Sequence, residues 1–204
     1  HQVPVIDHVL KKESALILMP TGGGKSLCYQ LPGMLEGGLT LVVSPLIALM
    51  KDQVDDLRTH GIEASFLNST LGIDEQRDVL DQIERKTLRF LYASPERLAA
   101  NEFEFLKRLS RHGVERVAID EAHCISSWGH NFRPPYTQLN RLREFLPDTP
   151  ILALTATADA RTKQDIIDQL GLGSARHFVF SFDRPNIQYH VVNRSKEQDQ
   201  LLAF

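Results

Sequence analysis

Seven short runs of apolar and β-branched residues, each separated from the next by a longer amphipathic stretch, constrain this chain more than any other feature. The runs fall at 15–19, 40–44, 64–67, 88–93, 114–119, 151–155 and 176–181. Several, such as Ala15-Leu16-Ile17-Leu18-Met19, are apolar almost throughout rather than alternating, as expected for strands covered on both faces. The stretches 3–11, 25–34, 46–60, 73–86, 102–111, 136–145 and 160–170 carry apolar residues at helical spacing. Strands and helices in alternation predict an α/β fold, a mostly parallel central sheet with helices on both faces. Gly61 and Gly171 stand where two helices would end, and Asp74 near the start of a third, as caps.

The length of 204 residues suits one domain with a sizeable core. No apolar run reaches the ~20 residues that cross a bilayer, so no membrane partner is expected. The start, His1-Gln2-Val3-Pro4, has neither a Met nor a signal core and reads as a cut point in a longer, cytoplasmic protein, nucleoid-associated or nuclear according to its host. Cys28 and Cys124 are too few for a zinc cluster and read as buried thiols. The net charge is −3, so contact with a polyanion would need a local basic patch.

The first apolar run leads into Pro20-Thr21-Gly22-Gly23-Gly24-Lys25-Ser26 and then a helical pattern. Glycines let backbone N–H groups curl around phosphate oxygens, and the helix N-terminus adds its positive end. Lys25 supplies a point charge for the β- and γ-phosphates, and the Ser26 hydroxyl is a ligand for Mg²⁺. The strict phosphate-loop pattern has Gly where Met19 stands, so a Gly-rich turn with an incidental lysine is the plainer alternative.

A second run ends in Asp120-Glu121-Ala122-His123. Phosphoryl transfer to water needs a metal against the phosphates and a group that orients the water. Asp120 is the candidate for Mg²⁺ and Glu121 for the water. Alone, a carboxylate pair at a strand end is common on solvated surfaces; beside a phosphate loop it points to a nucleoside-triphosphatase.

With Met19 to Ser26, Ser44-Pro45-Leu46, Leu154-Thr155-Ala156-Thr157-Ala158 and Phe182-Asp183-Arg184-Pro185-Asn186, the Asp-Glu-Ala-His box resembles a superfamily 2 helicase of the RecQ family. The resemblance runs nearly end to end, with the motifs in family order. It implies a RecA-like ATP-binding domain over 1–182, and over 183–204 a connection towards a second RecA-like domain of the same parent chain. It also implies ATP and Mg²⁺ as cofactors, single-stranded and forked DNA as partners, and 3′-to-5′ unwinding in the intact protein.

The resemblance assigns roles position by position. Gln2 matches the glutamine that reads adenine, and Thr21, Gly22, Gly23, Gly24, Lys25 and Ser26 the phosphate loop. Ser26 and Asp120 match the metal-holding pair, and Lys25, Asp120, Glu121 and His123 the catalytic set, in which His123 resembles a part coupling nucleotide state to movement. Thr155 and Thr157 share that coupling role. Ser44, Pro45, Lys51, Gln53, Ser94 and Arg97 match the nucleic-acid track.

Residues 124–136 resemble the aromatic-rich loop that marks the family, with Trp128, His130, Phe132, Arg133 and Tyr136. Aromatic faces stack on unpaired bases and arginine meets phosphate. The plainer alternative buries these rings in a core or domain interface. Asn131 and Pro135 stand where the family carries Asp and Glu, leaving the loop two carboxylates fewer for its internal hydrogen bonds. Two further readings stay open: a nucleotide-gated DNA-binding module with a vestigial ATPase, and an RNA-remodelling motor of the same superfamily.

Overall fold

The computed structural model describes residues 1–128, 131–181 and 187. Its strands are β1 (Ala15–Leu18), β2 (Leu39–Val43), β3 (Ala64–Leu67), β4 (Phe90–Ala93), β5 (Val114–Ile119), β6 (Ile151–Thr155) and β7 (Arg176–Val179). They form one sheet in the order β3-β4-β2-β5-β6-β1-β7, and every neighbouring pair is parallel. All seven expected strands are present, within two residues at each end. The helices are α1 (Gln2–Val9), α2 (Leu27–Glu36), α3 (Ile47–Thr59), α4 (Ile73–Glu84), α5 (Pro95–His112), α6 (Pro134–Thr137), α7 (Leu142–Phe145) and α8 (Ala160–Leu170).

Strand residues alternate between two apolar layers. Leu16, Leu41, Val43, Leu91, Val117 and Ile119 face α4, α5 and α8, while Ile17, Val42, Phe90, Tyr92, Ala118 and Leu154 face α1, α2 and α3. Covering both faces explains the near-continuous apolar runs. Only Phe178 is buried on the edge strand β7. At the opposite end of the sheet from the phosphate loop, Arg116 is buried and donates to Glu36 and to Thr40 Oγ1.

Three expectations need correction. Helix α5 begins at Pro95, not near 102, because Ser94 caps it: its hydroxyl accepts the Arg97 N–H at 3.3 Å, and Pro95 sits in the first turn, where its missing N–H costs nothing. The helix expected over 136–145 is broken into α6, a 3₁₀ turn (Gln138–Arg141) and α7. Its buried residues Tyr136, Leu139 and Leu142 recur every three positions, the 3₁₀ period. Asp74 lies inside the first turn of α4, and the cap is Gly72, whose N–H donates to Glu75 Oε2 at 2.8 Å. Gly171 ends α8 in the left-handed conformation, and Gly61, also left-handed, follows α3, as expected. The connection over 183–204 and the segment 182–186 lie outside the described residues, Ile187 excepted.

Candidate functional site

The order β5-β6-β1 brings three strand ends side by side. Beyond β1 comes the phosphate loop, beyond β5 the acidic pair, and between them β6 ends at Thr155. The Met19 N–H donates to Thr155 O at 3.1 Å, and the Asp120 N–H to Val43 O at 2.8 Å. Ligands of open parallel sheets bind at these carboxyl ends.

The loop is tightly built. Gly22 and Gly24 have φ of 77° and 80°. A Cβ on Gly23 would stand 2.7 Å from Met19 Cγ, so the methionine occupies the space that a side chain there would need. The Gln2 amide donates to Gly23 O at 3.1 Å, and a Cβ on Gly24 would collide with it. Gln2 is thus laid directly on the loop from α1. The Lys25 ammonium folds back to donate to Met19 O at 3.2 Å. The regular helix α2 begins at Leu27, but the Gly24, Lys25 and Ser26 carbonyls already accept from the next turn, so Ser26 stands at its N-cap.

Glu121 is left-handed (φ 48°, ψ 44°), which costs about 1–2 kcal/mol for a residue with a Cβ. Its neighbours hold it there. The Tyr136 hydroxyl donates to Asp120 O at 2.9 Å, and Asp120 Oδ1 accepts the Glu121 N–H at 3.0 Å. Tyr136 is therefore a buried brace under the acidic pair, not a stacking ring. The aromatic content of its segment pointed to the wrong role; the signal for the right one was its place in the three-residue burial repeat.

Burial and the neighbouring Glu121 charge push the Asp120 carboxyl up to about 6. A hydrogen bond from His123, outweighing its own burial, holds Glu121 below the usual carboxylate range. The Cys124 sulfur at 3.8 Å and the Glu121 carboxylate at 3.2 Å raise the His123 imidazole to about 9. His123 Nδ1 also lies 2.9 Å from Thr155 Oγ1. That hydroxyl donates to Thr157 O at 3.0 Å, and a protonated His123 shares the one Nδ1 hydrogen between Thr155 Oγ1 and Glu121 Oε2. The site can thus hold one ionised carboxylate beside one that favours a cation, next to an imidazolium.

Among the described residues no group of three or more His, Cys, Asp or Glu could enclose a metal ion. The donors present, the Ser26 hydroxyl and the part-buried Asp120 carboxylate, fit Mg²⁺ instead: it keeps waters and phosphate oxygens and needs only one or two protein ligands.

A cleft of about 550 Å³ separates the phosphate loop from the segment after the acidic pair, with Thr21, Pro45, Glu121, His123, Phe132, Arg133 and Thr157 in its walls. Arg133 Nη1 donates to Pro45 O at 3.0 Å, tying that segment to the end of β2. Ser44 is buried at the same strand end, Ser94 caps α5 at the end of neighbouring β4, and Arg97 lies over the Phe105 ring at 5.5 Å. On α3, Lys51 is exposed, whereas the Gln53 amide is engaged internally, accepting from Gln30 Nε2 at 2.9 Å. Trp128 is 61% exposed and Phe132 37%. Gly129 and His130 lie outside the described residues. Sequence reasoning missed Gln30, which joins Gln53 to the Tyr92 hydroxyl; Asn131, noted there for its lost carboxylate, places its amide 3.4 Å from His123 Nε2.

The sequence matches the family described as DEAD/DEAH box helicase over residues 1–166. It is 52% identical over 203 residues to an ATP-dependent DNA helicase RecQ of Pasteurella multocida, covering 100% of this chain and 32% of that protein. A probable ATP-dependent DNA helicase RecS of Bacillus subtilis is 44% identical over 201 residues, covering 98% of this chain and 40% of the relative. The chain thus spans about a third to two fifths of the length of these two relatives. Among solved structures, the helicase domain of Pyrococcus furiosus Hef superposes with a TM-score of 0.65 at 21% identity, over 90% of this chain and 38% of the other. The DUF1998 helicase MrfA gives 0.69 at 22%, over 88% and 29%. At those identities the likeness concerns the fold.

Proposed function

Because this chain belongs to the DEAD/DEAH box helicase family, we propose that it is the ATP-binding RecA-like domain of an ATP-dependent, 3′-to-5′ DNA helicase of RecQ type. The observation that carries the reading is one row of strand ends. The phosphate loop, the Thr155 hydroxyl and the acidic pair stand on three adjacent strands, and an exposed tryptophan follows on the same segment as the acidic pair.

In this reading Gln2 approaches the adenine, and the backbone N–H groups of 22–26 receive the phosphates. Lys25 exchanges the Met19 carbonyl for the β- and γ-phosphates, a stronger, charged acceptor. Ser26 and Asp120 hold Mg²⁺, which, when bound, neutralises phosphate charge. Glu121, ionised at neutral pH, accepts a hydrogen bond from the attacking water and takes its proton. The His123–Thr155–Thr157 hydrogen bonds carry the state of the γ-phosphate towards the next segment. Ser44, Pro45, Lys51, Gln53, Ser94, Arg97, Trp128, Phe132 and Arg133, with His130, form the single-stranded DNA track.

The division into a domain over 1–182 and a connection over 183–204 belongs to the same proposal, as does a second RecA-like domain in the parent chain that supplies arginine to the transferring phosphate. The test is strand separation by the full-length protein on duplexes with a 3′ or a 5′ single-stranded tail. ATP-dependent unwinding of the 3′-tailed DNA is expected. Unwinding of an RNA duplex in preference to DNA would favour an RNA-remodelling motor, and binding without unwinding a nucleotide-gated module.

A further inference from the structure

Helix α8 carries Arg161, Asp165 and Gln169 four residues apart, which places them along one face. All three reach the segment that follows the acidic pair. Gln169 Nε2 donates to Ile125 O at 3.4 Å, and Asp165 Oδ2 accepts the Ser126 hydroxyl at 2.5 Å. The Arg161 guanidinium carbon stands 3.3 Å from the centre of the Trp128 ring. Ser126 Oγ also accepts the Trp128 N–H at 3.3 Å, so the residue is held at both backbone and ring.

Helix α8 is itself firmly placed. Ile166 and Leu170 are buried in the core, and Asp159 caps its first turn, accepting the Thr162 N–H at 2.7 Å. That cap lies two residues after Thr157, where the hydrogen bonds from His123 and Thr155 end. One rigid element therefore joins the hydroxyl turn at the nucleotide site to the exposed ring.

Trp128 keeps 61% of its surface exposed while a cation covers one face. Burial does not explain that arrangement, since an indole packed for stability would be turned inward. A planar cation behind the ring fixes its orientation and leaves the opposite face to solvent.

We propose that Arg161 is the positioning residue for Trp128: it backs one face of the indole so that the other is presented to an unpaired base, with α8 as the strut that carries it. The inference rests on the reading of this loop as a nucleic-acid interface and adds a residue and a helix that the sequence motifs do not include.

Trp128 is the only tryptophan of the 204 residues, so its emission in this chain reports on it alone. Acrylamide quenching and emission anisotropy are measured without DNA, and binding by the anisotropy of a fluorescein-labelled oligothymidylate. Arg161→Ala is expected to raise the quenching constant, lower the anisotropy of Trp128 and weaken oligothymidylate binding roughly 3- to 30-fold, the span of one cation–π contact. Arg161→Lys, which keeps the charge but not the planar stack, should recover part of that loss, with far-UV circular dichroism unchanged in both variants. Wild-type quenching and wild-type affinity in Arg161→Ala would overturn the proposal, while a loss of binding in Trp128→Ala would leave the interface reading standing. If Trp128→Ala binds the oligonucleotide as wild type does, or the wild type does not bind it, the interface reading falls and takes the proposal with it.

Discussion

His123 Nδ1 lies 2.9 Å from Thr155 Oγ1, so the strand end that carries the acidic pair and the end of its neighbour share one hydrogen bond. The Thr155 hydroxyl donates in turn to Thr157 O at 3.0 Å, which extends the link to the segment after β6. Thr155→Val keeps the shape and removes the relay. In the full-length protein, stimulation of ATP hydrolysis by single-stranded DNA should fall about 5- to 150-fold, the range of a coupling free energy of 1–3 kcal/mol. ATP affinity, measured with a fluorescent analogue, should stay at the wild-type level. Undiminished stimulation would remove the relay from the account.

Lys25→Ala should weaken ATP binding by about 2–3 kcal/mol, the upper part of the range for a charged hydrogen bond. The fold should survive, because among the described residues the Lys25 ammonium donates to one backbone carbonyl and the backbone bond of Lys25 is kept in the variant, and thermal unfolding should shift little. ATP affinity equal to wild type, measured by calorimetry, would count against the site.

Much of this was legible in the sequence. Strands read well because burial on both faces makes them continuous apolar runs, and the phosphate loop and acidic pair read well because their spacing is local. Side-chain partnerships between distant segments were not legible. Nothing around Tyr136 announces that its hydroxyl will reach Asp120 O, and nothing local pairs Arg161 with Trp128. The start of α5 was readable but misassigned: Ser94-Pro95 carries both a helix cap and the expected nucleic-acid motif, and the second reading masked the first.

Tyr136→Phe isolates the brace. The Asp120 carbonyl would lose its buried hydroxyl donor, at a cost of about 1–3 kcal/mol. Urea unfolding should show that loss, and ATP hydrolysis by the full-length variant should fall because the left-handed Glu121 is less firmly held. Equal stability would make Tyr136 a spectator.

At the far end of the sheet, Glu36→Ala would leave the buried Arg116 guanidinium with the Thr40 hydroxyl and the more distant Glu115 charge. About 3 kcal/mol should be lost, the low end for breaking a buried pair, since the Glu36 side chain is itself 21% exposed. Nucleotide affinity should be unaffected, and a urea midpoint equal to that of the wild type would show that the pair contributes nothing.

Burial pushes the Cys28 thiol up to about 11. Well below pH 9 the thiol is mostly neutral in both folded and unfolded chains, with a small reactive thiolate fraction only in the unfolded one; as pH rises through about 9 towards 11 the unfolded chain ionises first, so stability falls through that window. At pH 8 iodoacetamide should label neither Cys28 nor Cys124 in the native chain and both in urea, read by mass spectrometry. Rapid native labelling would contradict the burial of both.

Coupling of nucleotide hydrolysis to DNA is read from steady-state ATP hydrolysis by the full-length protein with and without single-stranded DNA, the 204-residue chain serving as control. Strong stimulation of the full-length protein and an almost inert isolated chain are expected. A well-folded full-length protein that hydrolyses ATP at the same rate with and without DNA would contradict that coupling.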